Sequence, residues 1–379
     1  MSQKNTESGI YYFLGNITSH ILHALPLYRE LGGTFVVLSK RAKREAEAYG
    51  VPVIALDNKP YRWMRFGRKI KPVSHYTKID SRHKTTTDFL NKHAKVVLFY
   101  ELYDFDESVR LTKPKTIFLT HGNMLKDYMG QNNRLEIVKQ YDYMAALGPY
   151  LKKKFIADGI DPKKLVDLGV ARTDDIVEHA GEVYIDDKLK EEPGIDPAKK
   201  IVAYMPTFWG ASSIYNTGLE IVKNMPDEYT LIFRPHPQTP AKLLRKYLRI
   251  IRTKDNVIYA PEGKFKNLGL VDIFNASSVI IGDVSSVMLE AILTKKPLVF
   301  AYDTGEYKQS ENDYVSIVDI VKKSGKVYSE TAHQLPMILQ KAFSDAVDES
   351  LWNQTIKQNF YCADGTSVSA IKKFITSLL

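Results

Sequence analysis

At 379 residues, with 44% hydrophobic and 26% charged side chains, the chain has the length of two globular domains and an ordinary globular composition. A single cysteine, Cys362, excludes a disulfide framework and any cysteine-based zinc site, and suits a reducing compartment. The net charge of +9 is local: residues 40–84 hold 13 Lys+Arg against 4 Asp+Glu, whereas residues 151–379 hold 30 of each. No apolar run reaches the length of a membrane span, and MSQKNTESGIYYF lacks the basic start and continuous apolar segment of a signal peptide.

In chain order, GIYYFL (9–14) reads as a strand, SHILHALPLYREL (19–31) as a helix and TFVVLS (34–39) as a strand. PVIAL (52–56) follows, then YRWMRFGRKIK (61–71), where Arg62, Arg65, Arg68 and Lys69 interleave with Trp63 and Phe66. Cations among large apolar side chains suit an anionic membrane surface or form a solvated basic face; no nucleic-acid-binding motif accompanies them. KVVLFY (95–100), KTIFLT (115–120) and DYMAAL (142–147) continue the strand series. The polar EEPGIDPAKK (191–200) marks a boundary between an acceptor-side domain 1–190 and a donor domain 191–379, whose last helix is a candidate to pack back on the first. Beyond it come KIVAYMP (200–206), YTLIFRP (229–235), NVIYA (256–260), SVIIGD (278–283) and PLVFAY (297–302), and SVSAIKKFITSLL (367–379) closes as an amphipathic helix. Solid apolar strands alternating with helices predict α/β architecture with doubly wound parallel sheets.

In such sheets ligands bind beyond the carboxyl ends of the strands, and the chemistry-bearing residues cluster there. His121 follows KTIFLT, Thr207 follows KIVAYMP, and Arg234 and His236 stand among prolines after YTLIF. After SVIIG come Asp283, Ser285, Ser286 and Glu290. Ser and Asp there are either helix caps or phosphate ligands, and Glu290 is too far along to close a capping box with Ser286. Histidine matches proton transfer near neutral pH, and Arg with His on a stiff loop suits a diphosphate that gains charge as its bond breaks. His20, near the start of the first helix, is either a base or a first-turn residue beside a cap. There is no Walker lysine loop, no dinucleotide glycine fingerprint, no GxSxG elbow and no acidic cluster for magnesium, so no metal or cofactor is expected.

HGNMLK (121–126), MPTFWG (205–210), FRPHP (233–237), GDVSSVMLE (282–290) and ADGTS (363–367) together resemble the successive motifs of the CDP-glycerol glycerophosphotransferases of teichoic acid synthesis. LGVARTDDI (168–176) is similar to that family's glycine–proline–arginine–x–aspartate segment. The resemblance implies a GT-B fold of two Rossmann-like domains facing across a cleft, at the cytoplasmic membrane face. It also implies transfer of glycerol phosphate from CDP-glycerol to a polyprenyl-diphosphate-linked acceptor. It makes His121 the general base and His236 the group that steadies the diphosphate or protonates the leaving CMP. Thr207, Arg234, Asp283, Ser285, Ser286 and Glu290 then face the donor, with Glu290 on the ribose and Lys126 on the acceptor side. LGNITSHILHALPLYRELGG (14–33) resembles instead the first loop and helix of lipid-linked sugar transferases, which makes His20 an acceptor-side base. Trp209 and Gly210 stand where the family carries an arginine, and Leu289–Glu290 looks more like enzymes using nucleotide sugars. Two alternatives therefore stay open: a GT-B glycosyltransferase using a UDP- or GDP-sugar, and a non-catalytic nucleotide-binding protein. The short chain favours a priming enzyme over a polymerase.

Overall fold

The computed structural model describes residues 8–16, 20–56, 77–120, 134–207, 212–261, 269–283, 285–301 and 324–379. They divide into two compact units. The first runs to Arg172 and resumes at Asn359; the second holds Thr173–Gln358. The division thus falls ahead of EEPGIDPAKK, which belongs to the second unit, where Ile195 is buried. Among the described residues no helix is long and apolar enough to cross a membrane.

Strands of the first unit are β1 (Ile10–Gly15), β2 (Thr34–Val37), β3 (Val53–Ala55), β4 (Thr77–Ile79), β5 (Val96–Phe99), β6 (Tyr103–Phe105), β7 (Lys115–Phe118), β8 (Tyr143–Ala146) and β9 (Leu165–Asp167). Seven form a sheet in the order β3-β2-β1-β5-β7-β8-β9, while β4 and β6 pair as a separate ribbon. The pairings are parallel, for example Tyr12 with Phe35 and with Leu98. Both faces are covered, which is why β1, β2 and β5 are buried at every position. Helix α1 (Ile21–Leu31) returns from β1 toward β2 and buries Ile21, Ala24 and Leu27.

The C-terminal helix, Ser367–Thr376, completes this unit. Its Phe374 ring meets Tyr143 edge-on at 5.1 Å, and Lys372 Nζ lies 2.9 Å from Glu30 Oε2 of α1. The chain reaches that position through a tight passage: Tyr361 N donates to Leu147 O at 2.7 Å. A Cβ on Gly148, just ahead of α2 (Pro149–Ala157), would stand 2.1 Å from the backbone C and O of Asn359. Gly148→Ala should therefore destabilise the first unit by about 1–3 kcal/mol, the range of overpacking that backbone must absorb. Thermal unfolding checks this, and a variant that melts with the wild type would show that the passage has room.

The second unit holds β10 (Lys200–Met205), β11 (Tyr229–Phe233), β12 (Val257–Tyr259), β13 (Val279–Gly282), β14 (Leu298–Ala301) and β15 (Gly325–Val327). They lie in the order β12-β11-β10-β13-β14-β15, again parallel. Helix α3 (Ala241–Ile251) follows β11 and packs Leu243, Leu244, Ile250 and Ile251 against a core of Val202, Tyr204, Phe233, Tyr247 and Val279. Helix α4 (Ser286–Ala291) follows β13; it is shorter than the apolar run through Leu293 suggests, passing into a 3-10 turn that stops at Lys295 with φ of 54°.

Candidate functional site

In the second unit the strand order reverses between β10 and β13, so their carboxyl ends flank the switch point where ligands of doubly wound sheets bind. Thr207 lies just past β10 and Asp283 just past β13, and the two are joined directly. Asp283 Oδ2 accepts from Thr207 N at 2.7 Å and from Ser212 Oγ at 2.8 Å, and Oδ1 accepts from Ser213 N at 3.1 Å. Only 6% of Asp283 is exposed. Burial pushes its carboxyl pKa up, and the hydrogen bonds from Ser213, Ser212 and Thr207 pull it part of the way back. Ser212 Oγ also stands 2.6 Å from Thr207 O, so its single proton has two acceptors. A further layer lies beneath: Tyr204 Oη is 2.7 Å from Ser213 Oγ, and Tyr247 Oη donates to Ile214 O at 2.7 Å. The carboxylate expected to face the donor instead ties down the chain on either side of 208–211.

The other strand-end residues of this unit are half-buried and reachable. Arg234 continues β11, with its N–H donating to Tyr204 O at 3.0 Å. His236 closes a small loop: its Nδ1 accepts from Gln238 N at 3.1 Å, and its carbonyl accepts from Thr239 N at 2.9 Å. With Nδ1 committed as acceptor, the neutral ring carries its proton on Nε2. An N–H donor of this kind is the chemistry that a developing phosphate charge needs. Ser285, in extended backbone, is the N-cap of α4 and accepts from Met288 N at 3.4 Å, as the capping reading expects; the hydroxyl proton is still available. Glu290 is fully buried at 0% exposure, so a ribose reaches it only if the surrounding structure opens.

In the first unit the order reverses between β1 and β5, and a polar group lies at that end. His20, 8% exposed, sits at the N-cap position of α1 without a side-chain cap bond. Its ring is 5.9 Å from that of His23 and nearly perpendicular to it. His23 Nε2 lies 3.0 Å from Arg172 Nη1; a guanidinium only donates, so Nε2 is unprotonated and neutral His23 holds its proton on Nδ1. Tyr100 follows β5 with its ring 6.4 Å from that of His23, and burial drives its phenol pKa far up. His23 was not singled out in the sequence and Arg172 stood there only as the arginine of LGVARTDDI, although the three-residue spacing of His20 and His23 places both on one face at the start of α1. Thr120, just past β7, holds φ of 63°, a strained value for a β-branched residue and a common mark of functional positions.

His121, Lys126, Trp209 and Gly210 lie outside the described residues, as do Arg62, Trp63, Arg65, Phe66, Arg68 and Lys69.

A family model described as CDP-Glycerol:Poly(glycerophosphate) glycerophosphotransferase matches residues 57–377. The chain is 26% identical over 259 residues to the teichoic acid glycerol-phosphate primase of Bacillus subtilis (strain 168), covering 64% of this chain and 60% of that protein. It is 25% identical over 175 residues to the teichoic acid poly(ribitol-phosphate) polymerase of Bacillus spizizenii, covering 43% of this chain and 26% of that one. The chain thus spans less than two thirds of the length of these relatives. Among solved structures, the wall teichoic acid polymerase TagF superposes with a TM-score of 0.63 at 15% identity, covering 99% of this chain and 90% of that one. UDP-GlcNAc 2-epimerase from Neisseria meningitidis superposes with 0.58 at 13% identity, covering 97% and 98%. The fold is of the GT-B class, with two Rossmann-like units.

Proposed function

Because the chain belongs to the CDP-glycerol:poly(glycerophosphate) glycerophosphotransferase family, we propose that it transfers glycerol phosphate from CDP-glycerol to a polyprenyl-diphosphate-linked saccharide, as a single-addition priming enzyme of teichoic acid synthesis. The observation that carries the reading is the strand-end set of the second unit: Thr207, Arg234, His236, Ser285 and Ser286 beside a switch point, with His236 Nδ1 held by Gln238 N. In the proposed reaction an acceptor hydroxyl attacks the phosphorus that bears glycerol. A new P–O bond forms, the bond to the CMP oxygen breaks, and the hydroxyl proton passes to His121. Arg234 and His236 Nε2–H stabilise the charge that gathers on the diphosphate; in the alternative role His236 enters as the imidazolium, gives its proton to the departing CMP oxygen and is left as the neutral ring. Ser285, whose hydroxyl proton is not used by its cap bond, and Ser286 hold a donor phosphate. Asp283 acts through Thr207, which it positions. His20 and Lys126 serve the acceptor, Glu290 reaches the ribose on opening, and the segment from Arg62 to Lys69 rests on the anionic cytoplasmic membrane face.

At the switch point the Asp283 carboxylate is already filled by Thr207, Ser212 and Ser213, so the positive charge comes from side chains and no divalent ion is expected to be needed. The test is transfer from radiolabelled CDP-glycerol, CDP-ribitol and UDP-GlcNAc to a short-chain polyprenyl acceptor, with and without EDTA. One addition from CDP-glycerol, undiminished by EDTA, is expected. Turnover with UDP-GlcNAc alone overturns the donor assignment, and loss on chelation restored by magnesium overturns the charge stabilisation.

A further inference from the structure

We propose that the outer face of α3, together with Arg252 at its end, is a docking surface for an anionic phospholipid membrane. The helix reads AKLLRKYLRII and contains no acid. At 3.6 residues per turn, Lys242, Arg245, Lys246, Arg249 and Arg252 fall within an arc of about 120°, along roughly 15 Å of axis. All five are exposed. The opposite arc is consumed by the core, where Tyr247 is buried and Leu243, Leu244, Ile250 and Ile251 pack.

Two observations separate this stripe from an ordinary solvated face. The first is pairing. Elsewhere the chain neutralises helix-surface cations with acids three or four residues away, as in Arg41–Glu45 at 2.7 Å, Lys84–Asp88 at 3.1 Å and Lys223–Glu220 at 2.6 Å. Among the described residues the five cations of the stripe make no ion pair, and like charges at these spacings destabilise the helix that carries them. The second is segregation. Residues 173–358 hold 22 Lys+Arg and 26 Asp+Glu, a difference of −4, yet residues 239–254 hold 6 Lys+Arg and no acid. Positive charge is therefore concentrated on one helix of an otherwise acidic unit.

The shape selects the partner. A helix on the outside of a doubly wound sheet presents a ridge, and a ridge of long cationic side chains meets a flat anionic surface more fully than it encloses a polymer strand. With the apolar arc occupied, binding is electrostatic and without insertion, in contrast to the segment containing Trp63 and Phe66. The surface stands independently of the donor chemistry.

The test uses the full chain and vesicles of phosphatidylcholine with about 30% phosphatidylglycerol. The variant carries Lys242→Gln, Arg245→Gln, Lys246→Gln and Arg249→Gln together, glutamine being a good helix former that leaves the packed arc untouched. Each cation near such a surface contributes roughly fivefold, so partition onto anionic vesicles should fall at least tenfold, with a melting temperature equal to or above that of the wild type and no change on pure phosphatidylcholine. Raised salt should mimic the variant. Sedimentation of the variant equal to wild type overturns the proposal. So does tighter wild-type binding to soluble inorganic polyphosphate than to vesicles of equal phosphate concentration, which would mark the stripe as a polymer site.

Discussion

His236→Ala should lower transfer about 10²–10⁴-fold, the usual contribution of a group that moves a proton or stabilises charge in the transition state. The substitution removes a half-buried ring and the 3.1 Å bond from Gln238 N on an exposed turn, outside the buried core of the second unit, so the melting temperature should hold. His236→Gln separates the two roles of the ring. Its amide can place N–H near the Nε2 position but cannot give up a proton at neutral pH. Recovery to within tenfold of wild type would make His236 a hydrogen-bond donor, and no recovery would make it the acid on CMP. Retention of a quarter of wild-type turnover by His236→Ala would remove it from the reaction. His121→Ala is the companion variant, with a loss of the same order expected of the general base.

Asp283→Ala should act on stability and rate together. It strips acceptors from Thr207 N and Ser213 N, and each buried N–H left without a partner costs about 1–3 kcal/mol. Thr207, no longer held, should lose alignment, and a displacement near 1 Å is enough for roughly a 10²-fold loss of rate. Denaturant unfolding of the second unit and kcat measured on the folded fraction check the two effects separately. Asp283→Asn keeps one acceptor oxygen and should fall between. The pH dependence has a definite sign. Because burial raises the carboxyl pKa, the folded chain holds this proton more tightly than the unfolded chain. The Asp283 contribution is therefore most favourable below the ordinary carboxylate pKa. It declines as pH rises toward the raised value and is level above it. Asp283→Asn should abolish that decline, and an identical slope in both proteins would mean that Asp283 does not titrate there.

Much of the architecture was legible because both sheets are covered on both faces. Such strands are solid apolar runs, and YYFL, VVLF and VII announced themselves to within a residue or two. The strands that escaped are three residues long. TKI and YDF form a separate two-stranded ribbon, while LVD and GKV lie at sheet edges, none with an apolar run to betray it. The strand-end residues could be read because position after a strand is a local property. The work of Asp283 could not, since Ser212 and Ser213 lie about seventy residues away and meet it only through folding. The boundary was missed for a related reason. EEPGIDPAKK has the composition of a linker, but Ile195 packs within the second unit ahead of β10. The return of SVSAIKKFITSLL to the first domain was open to expectation from its amphipathic pattern, but nothing in it names α1 and Tyr143 as the particular neighbours.

That last packing bears on the order in which the protein can be made. The first unit needs residues from both sides of the second, so its sheet and α1 leave the ribosome long before the helix that covers them. At 5–20 residues per second, the 186 residues of the second unit impose a wait of roughly 10–40 s. Throughout that interval Leu147 O has no Tyr361 N to accept from, and Tyr143 has no Phe374 against it. The Thr173–Gln358 part of the second unit is continuous in sequence and can close as soon as it emerges. Nascent chains should accordingly hold a finished second unit beside an unfinished first one, and the need for chaperone protection during synthesis should fall on the half that was translated first.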